Sequence, residues 1–123
     1  MEFRDNEAIY LQIANSVSEY ILLGKWKIDD KIPSVRDLAA EMQVNPNTVI
    51  RTYEFLQNKE IIYTKRGLGF FVGGKAVEKI KKYKKEQFLE TALPGVFRDM
   101  YLLDIGIEDI TKRYETFKSK YLS

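Results

Sequence analysis

Gln43-Val44-Asn45-Pro46-Asn47-Thr48-Val49-Ile50-Arg51-Thr52-Tyr53-Glu54-Phe55-Leu56-Gln57-Asn58 is the stretch on which the fold turns. Gln43-Val44 reads as a tight break. Asn45 offers a side-chain oxygen that caps a helix, and Pro46 follows at the first helical position, where a missing N–H costs nothing. At the α-helical period, Asn47, Arg51, Glu54 and Asn58 cluster on one side, with Val49, Tyr53 and Leu56 on the other. One face is therefore polar with a single cation, and the other is built to pack. A helix that enters the major groove needs this division, with an apolar back and a front that exchanges hydrogen bonds with base edges. On that reading Arg51 contacts guanine and Asn47 pairs with adenine. At the helix start, Asn45 and Thr48, with free backbone N–H groups, hold phosphates.

Upstream, Ser34 caps a short helix whose apolar stripe is Val35, Leu38, Ala39 and Met42. Asp37, three residues on, makes a shortened capping box. Before it, Ile9, Ile13 and Tyr20, and on a parallel row Tyr10, Ala14, Val17 and Ile21, predict a first helix from about Glu7 to Leu23, ended by Gly24. Asp29-Asp30 turns the chain into the extended piece Lys31-Ile32-Pro33.

Downstream, Ile61-Ile62-Tyr63-Thr64 and Phe70-Phe71-Val72 flank the turn Lys65-Arg66-Gly67-Leu68-Gly69, which predicts a hairpin. The order helix, helix, tight turn, helix, hairpin is a winged helix-turn-helix. Lys65 and Arg66 suit phosphates or the minor groove, while Gly67 and Gly69 let the backbone approach closely. For Gly69 a purely turn-forming role is an equal alternative. The fold class expected is mainly α with a small β-hairpin, in two parts: a winged domain over 1–73 and a helical tail over 74–123. Within the tail, helices are expected at roughly 75–91, 95–104 and 107–121, broken near Pro94-Gly95 and near Gly106.

Composition narrows the function. The 123 residues contain no cysteine and no histidine. This removes disulfides, thiolate metal sites and the commonest general base. The acidic pairs Asp29-Asp30 and Glu108-Asp109 point different ways along a turn or helix, and no phosphate loop accompanies them. No enzyme, metal or cofactor is expected. The opening MEFRDNEAIY lacks the basic-then-apolar order of a leader, and no apolar run can span a bilayer, so a cytoplasmic protein is expected. Net charge is only +2. Residues 1–73 carry nine Lys/Arg against ten Asp/Glu, and residues 74–123 eleven against eight. Charge alone would favour the tail, with its run Lys75 to Lys85, as the binding surface. The helix pattern favours the third helix. The lysine run reads as a solvated surface, with flanking phosphates as the alternative.

Several segments resemble the N-terminal domain of the GntR family of bacterial regulators. They are Tyr10-Leu-Gln-Ile13, Gly24-Lys25, Ile32-Pro33-Ser34-Val35-Arg36-Asp37-Leu38-Ala39, Val44-Asn45-Pro46-Asn47-Thr48-Val49 and Arg66-Gly67-Leu68-Gly69-Phe70-Phe71-Val72. The short helical tail resembles the YtrA-type branch. The resemblance implies DNA contacts from Arg36, from Asn45 to Thr48 and from the Arg66-Gly67 wing tip, and Ser34 beside Arg36 is counted with them. It also implies a homodimer on a pseudo-palindromic, double-stranded operator, and for this branch control of an ABC transporter operon. Ile50 and Pro46 stand where many relatives have arginine, and Asp29-Asp30 replaces a common Pro-Gly turn.

The tail is richer in apolar side chains than three short helices can hide. Phe88, Leu93, Phe97 and Met100 stand out, as do Tyr101, Ile110, Tyr114 and Phe117. Pairing with a second copy is expected, and folding back on the winged domain is the alternative. A regulator that represses by blocking polymerase is the leading function. The residues themselves do not choose between repression and activation, nor do they name an effector. A winged helix serving protein–protein contact is the competing class, opposed by the polar front of the third helix and the basic wing.

Overall fold

The computed structural model describes residues 7–122, so Met1–Asn6, which open the stretch read above as unlike a leader, lie outside it. It is mainly helical with one two-stranded antiparallel hairpin, as expected. The order is α1 (Ile9–Leu22), α2 (Val35–Met42), α3 (Pro46–Asn58), β1 (Ile62–Lys65) and β2 (Gly69–Val72), then α4 (Ala76–Gln87), a π-helical segment (Phe88–Ala92), α5 (Leu93–Leu102) and α6 (Ile107–Leu122). No described helix is long and apolar enough to cross a membrane.

The chain divides into two compact units between Lys84 and Lys85. In the first, α1 packs on α3 and α2 packs on α3. Ile13, Ala14, Val17 and Ile21 of α1 meet Leu38 and Ala39 of α2 and Val49, Tyr53 and Leu56 of α3 in one buried cluster. Trp26 lies partly buried against this cluster, with its ring 5.2 Å from that of Tyr20. The hairpin is in register from Ile62 opposite Val72 to Lys65 opposite Gly69. Lys31 bridges to Phe71, so the extended piece before α2 lies along the outer edge of β2.

Helix α2 ends as its sequence demands. After α2, the Val44 N–H reaches the Ala39 carbonyl at 3.0 Å while Gln43 takes up the left-handed conformation at φ 56°. This is the tight break between α2 and α3. The cluster does not stop at Gly74. Ala76 and Ile80 of α4 are fully buried in it, so the first unit runs on to Lys84.

In the second unit the expected break at Pro94-Gly95 does not occur. Proline lacks an N–H, and its ring would collide with the carbonyl four residues back, that of Glu90. The chain answers with the wider π turn over Phe88–Ala92, in which the Leu93 N–H bonds to the Phe88 carbonyl. Pro94 then sits in the first turn of α5, where it is tolerated. The break near Gly106 is present, with Asp104 left-handed at φ 56°. Most apolar side chains of the second unit are exposed. Tyr101 is 84 % exposed and Phe117 57 %, whereas Met100 is buried.

Candidate nucleic-acid interface

The third helix turns outward the side that its sequence assigned to solvent. Asn47, Arg51, Glu54 and Asn58 are exposed, and Val49, Tyr53 and Leu56 are buried. Two hydrogen bonds fix its tilt. Buried Thr52 shares its one hydroxyl proton between the Tyr10 carbonyl of α1 at 3.1 Å and the Thr48 carbonyl of its own helix. The Tyr53 hydroxyl donates to the Pro33 carbonyl at 2.7 Å, tying α3 to the entry of α2. Burial pushes the Tyr53 phenol far above the ordinary tyrosine range, with Glu41 adding a smaller push.

At the start of α3, the Asn47 N–H bonds to the Asn45 side-chain oxygen at 2.8 Å, and the Thr48 N–H bonds to the Asn45 carbonyl. Pro46 has no N–H. The expectation of free backbone donors here is therefore corrected: the cap that starts the helix consumes them, and the outward side chains remain. Ser34 likewise accepts from the Asp37 N–H at 3.1 Å as the cap of α2, and Arg36 beside it is exposed.

Asn47, Thr48 and Arg51 line one open concavity of about 350 Å³ together with Ala8, Ile9 and Tyr10 of the α1 entry. Arg36 and the wing residues are not among its walls. The Arg51 guanidinium carbon lies over the Tyr10 ring, 4.0 Å from its centroid. In the sequence Tyr10 belongs to one of the apolar rows of α1. Nothing local marks it as an arginine's partner, because the pair is 41 positions apart.

The wing is a compact hairpin tip. Gly67 adopts φ 77° in a turn closed by the Leu68 N–H on the Lys65 carbonyl at 2.9 Å. Arg66, Gly67 and Leu68 are exposed. Lys65 lies with its ammonium 5.0 Å from the Phe71 ring centroid, and Phe71 stacks on Tyr63. The Tyr63 hydroxyl in turn donates to Asp29 at 2.8 Å, which raises the Tyr63 pKa. Gly69 has a structural reason to be glycine: its φ is 117°, and a Cβ would lie 3.2 Å from the Lys31 side chain. Lys31 is thus a cation beside the wing, although its place in an extended piece before α2 gives no local sign of it.

Residues 9–72 match the pattern described as bacterial regulatory proteins, gntR family. The chain is 36% identical over 101 residues to the HTH-type transcriptional repressor YtrA of Bacillus subtilis, covering 76% of this chain and 78% of that one. A transcriptional regulator of the GntR family from Bacteroides thetaiotaomicron has a crystal structure that superposes with a TM-score of 0.80 at 46% identity, over 93% of this chain and 99% of that one. AraR(DBD), solved in complex with operator ORR3, superposes with a TM-score of 0.54 at 26% identity, over 59% of this chain and 88% of that one. The pattern spans more than half of the chain, and the full-length likeness extends through the tail. The chain belongs to the GntR family of bacterial regulatory proteins and is a winged-helix transcriptional regulator, not an enzyme.

Proposed function

We propose that this protein is a cytoplasmic repressor that binds a pseudo-palindromic DNA operator as a homodimer, with α3 in the major groove. One observation carries the proposal: α3 keeps Asn47, Arg51, Glu54 and Asn58 in solvent while its other side is locked into the core. Arg51 reads a guanine and Asn47 an adenine. Thr48, Arg36 with Ser34, and the Asn45-Pro46 corner hold the backbone. Lys65, Arg66, Gly67 and Gly69 form the wing that follows the neighbouring groove. The operator-bound AraR domain and the repressor named among the relatives support this reading.

Two copies place their α3 helices about 34 Å apart, one turn of DNA. The tail joins them, through Phe88, Leu93, Phe97, Met100, Tyr101, Ile110, Tyr114 and Phe117. Three short helices carry more apolar side chains than they can hide among themselves, which supports a second copy. The resemblance to the short-tailed branch adds an ABC transporter operon as the regulated target, which transcript profiling of a deletion strain checks.

The decisive experiment is selection of duplexes from a random pool by the purified chain, followed by footprinting. The expected result is a palindromic consensus protected by wild type and lost with Arg51→Ala. Recovery of no consensus would overturn the proposal.

A further inference from the structure

We infer that Tyr10 is a positioning residue that determines specificity: its ring, at the first turn of α1, holds the Arg51 guanidinium ready for a base edge. The inference rests on α3 being the reading helix.

The geometry comes in three layers. The Arg51 guanidinium lies over the Tyr10 ring at 4.0 Å, and among the described residues it has no carboxylate within ion-pair distance, Glu54 on the same face included. The ring is itself held. It meets Phe55 edge-on at 6.2 Å, and Phe55 meets Tyr83 of α4 at 5.3 Å. The Tyr10 carbonyl accepts a hydrogen bond from Thr52, the residue next to Arg51. The platform and the arginine are thus tied to one another through the main chain, and both border the concavity that Asn47 and Thr48 line.

The chemistry follows from what a guanidinium keeps when it stacks. Its face is used by the ring, while its N–H donors stay free in their plane. An unheld arginine spreads over many rotamers and meets any phosphate as readily as a base edge. A held one loses less freedom on binding, and its fork is aimed. Loss of the ring should therefore lower discrimination between sequences more than it lowers overall attraction to DNA.

The test compares wild type, Tyr10→Phe, Tyr10→Leu, Arg51→Ala and the double variant Tyr10→Leu/Arg51→Ala. Each is titrated by fluorescence anisotropy, at one salt concentration, against the selected duplex and a scrambled duplex of equal composition. Tyr10→Phe keeps the ratio of the two affinities. Tyr10→Leu lowers it roughly three- to ten-fold, with scrambled-duplex binding unchanged. In the Arg51→Ala background the leucine has no further effect.

A merely structural Tyr10 would weaken both duplexes alike, or weaken binding equally with and without Arg51, and either result overturns the inference. So does a Tyr10→Leu variant that keeps the wild-type ratio. Should that variant melt below the assay temperature, side-chain nitrogen relaxation of Arg51 in the wild type decides. A rigid Nε supports the platform, and a freely moving one overturns it. Arg51→Ala retaining the ratio overturns this inference and the guanine contact of Arg51, while α3 stays the reading helix. A wild type without sequence preference overturns the reading of α3 itself.

Discussion

Gln43 holds a left-handed backbone that glycine adopts at no steric cost. Its side chain is exposed, so little packing offsets the strain. Gln43→Gly should stabilise the first unit by roughly 0.5–1 kcal/mol in urea titrations. Tyr53 carries the opposite lesson. Its buried hydroxyl bonds to the Pro33 carbonyl, and its phenol ionises only well above the ordinary value of about 10. A folded-state pKa raised in this way gives stability that is complete below pH 10. That stability is lost as pH climbs toward the folded value, by at most about 1.4 kcal/mol per pH unit. Tyr53→Phe should cost about 1 kcal/mol at neutral pH and flatten the alkaline decline. Of the residues at the candidate interface, the sequence made the outward set of α3 legible through its period alone. It could not show where Arg51 rests, because that depends on how α1 lies against α3. Nor could it show that the Asn45 cap consumes the helix-start donors, since capping and phosphate binding draw on the same residue types.

At the level of elements, α1 to α3 and the hairpin were readable because each carries both a period and a terminal signal. The start of α4 was legible as a helix, but its place in the winged core was not. Its two core residues, Ala76 and Ile80, sit four apart inside a lysine-rich stretch whose charge dominates the pattern. Pro94-Gly95 signals a stop in sequence because proline opposes an α-helix, and the π turn that accommodates it carries no local signature. Burial of Ile80 predicts that Ile80→Ala lowers the stability of the winged unit by roughly 3 kcal/mol. A chain cut after Gly73 should lose more than one cut after Lys84, as followed by chemical denaturation. Equal stability of the two truncations would show that α4 contributes nothing to this core. The exposed pair Lys79–Glu60, at 2.7 Å, adds a second tie between α4 and the end of α3, and it lowers the Glu60 pKa.

For the whole molecule, the proposed dimer makes affinity for DNA depend on the tail. Phe97 and Phe117 are about half exposed in the single chain, so aspartate at either should leave the monomer folded. Phe97→Asp/Phe117→Asp is expected to scatter light as a monomer at micromolar concentration. It should also lose the steep part of its operator affinity, while a half-site duplex binds it almost as it binds wild type. A wild type that is itself monomeric at that concentration would remove the dimer from the proposal. Salt should act on both forms, with a smaller slope of log affinity against log salt for the monomer, which meets fewer phosphates.

The lone tryptophan of the chain has a practical corollary. Trp26 belongs to the first unit, packed beside Tyr20, and the second unit has no indole. Its emission therefore follows unfolding of one half of the protein, whereas far-ultraviolet ellipticity weighs both halves. Divergent melting curves from the two signals, with only the ellipticity component moving as protein is diluted, would show an assembly that loosens at its tail before its reading head gives way.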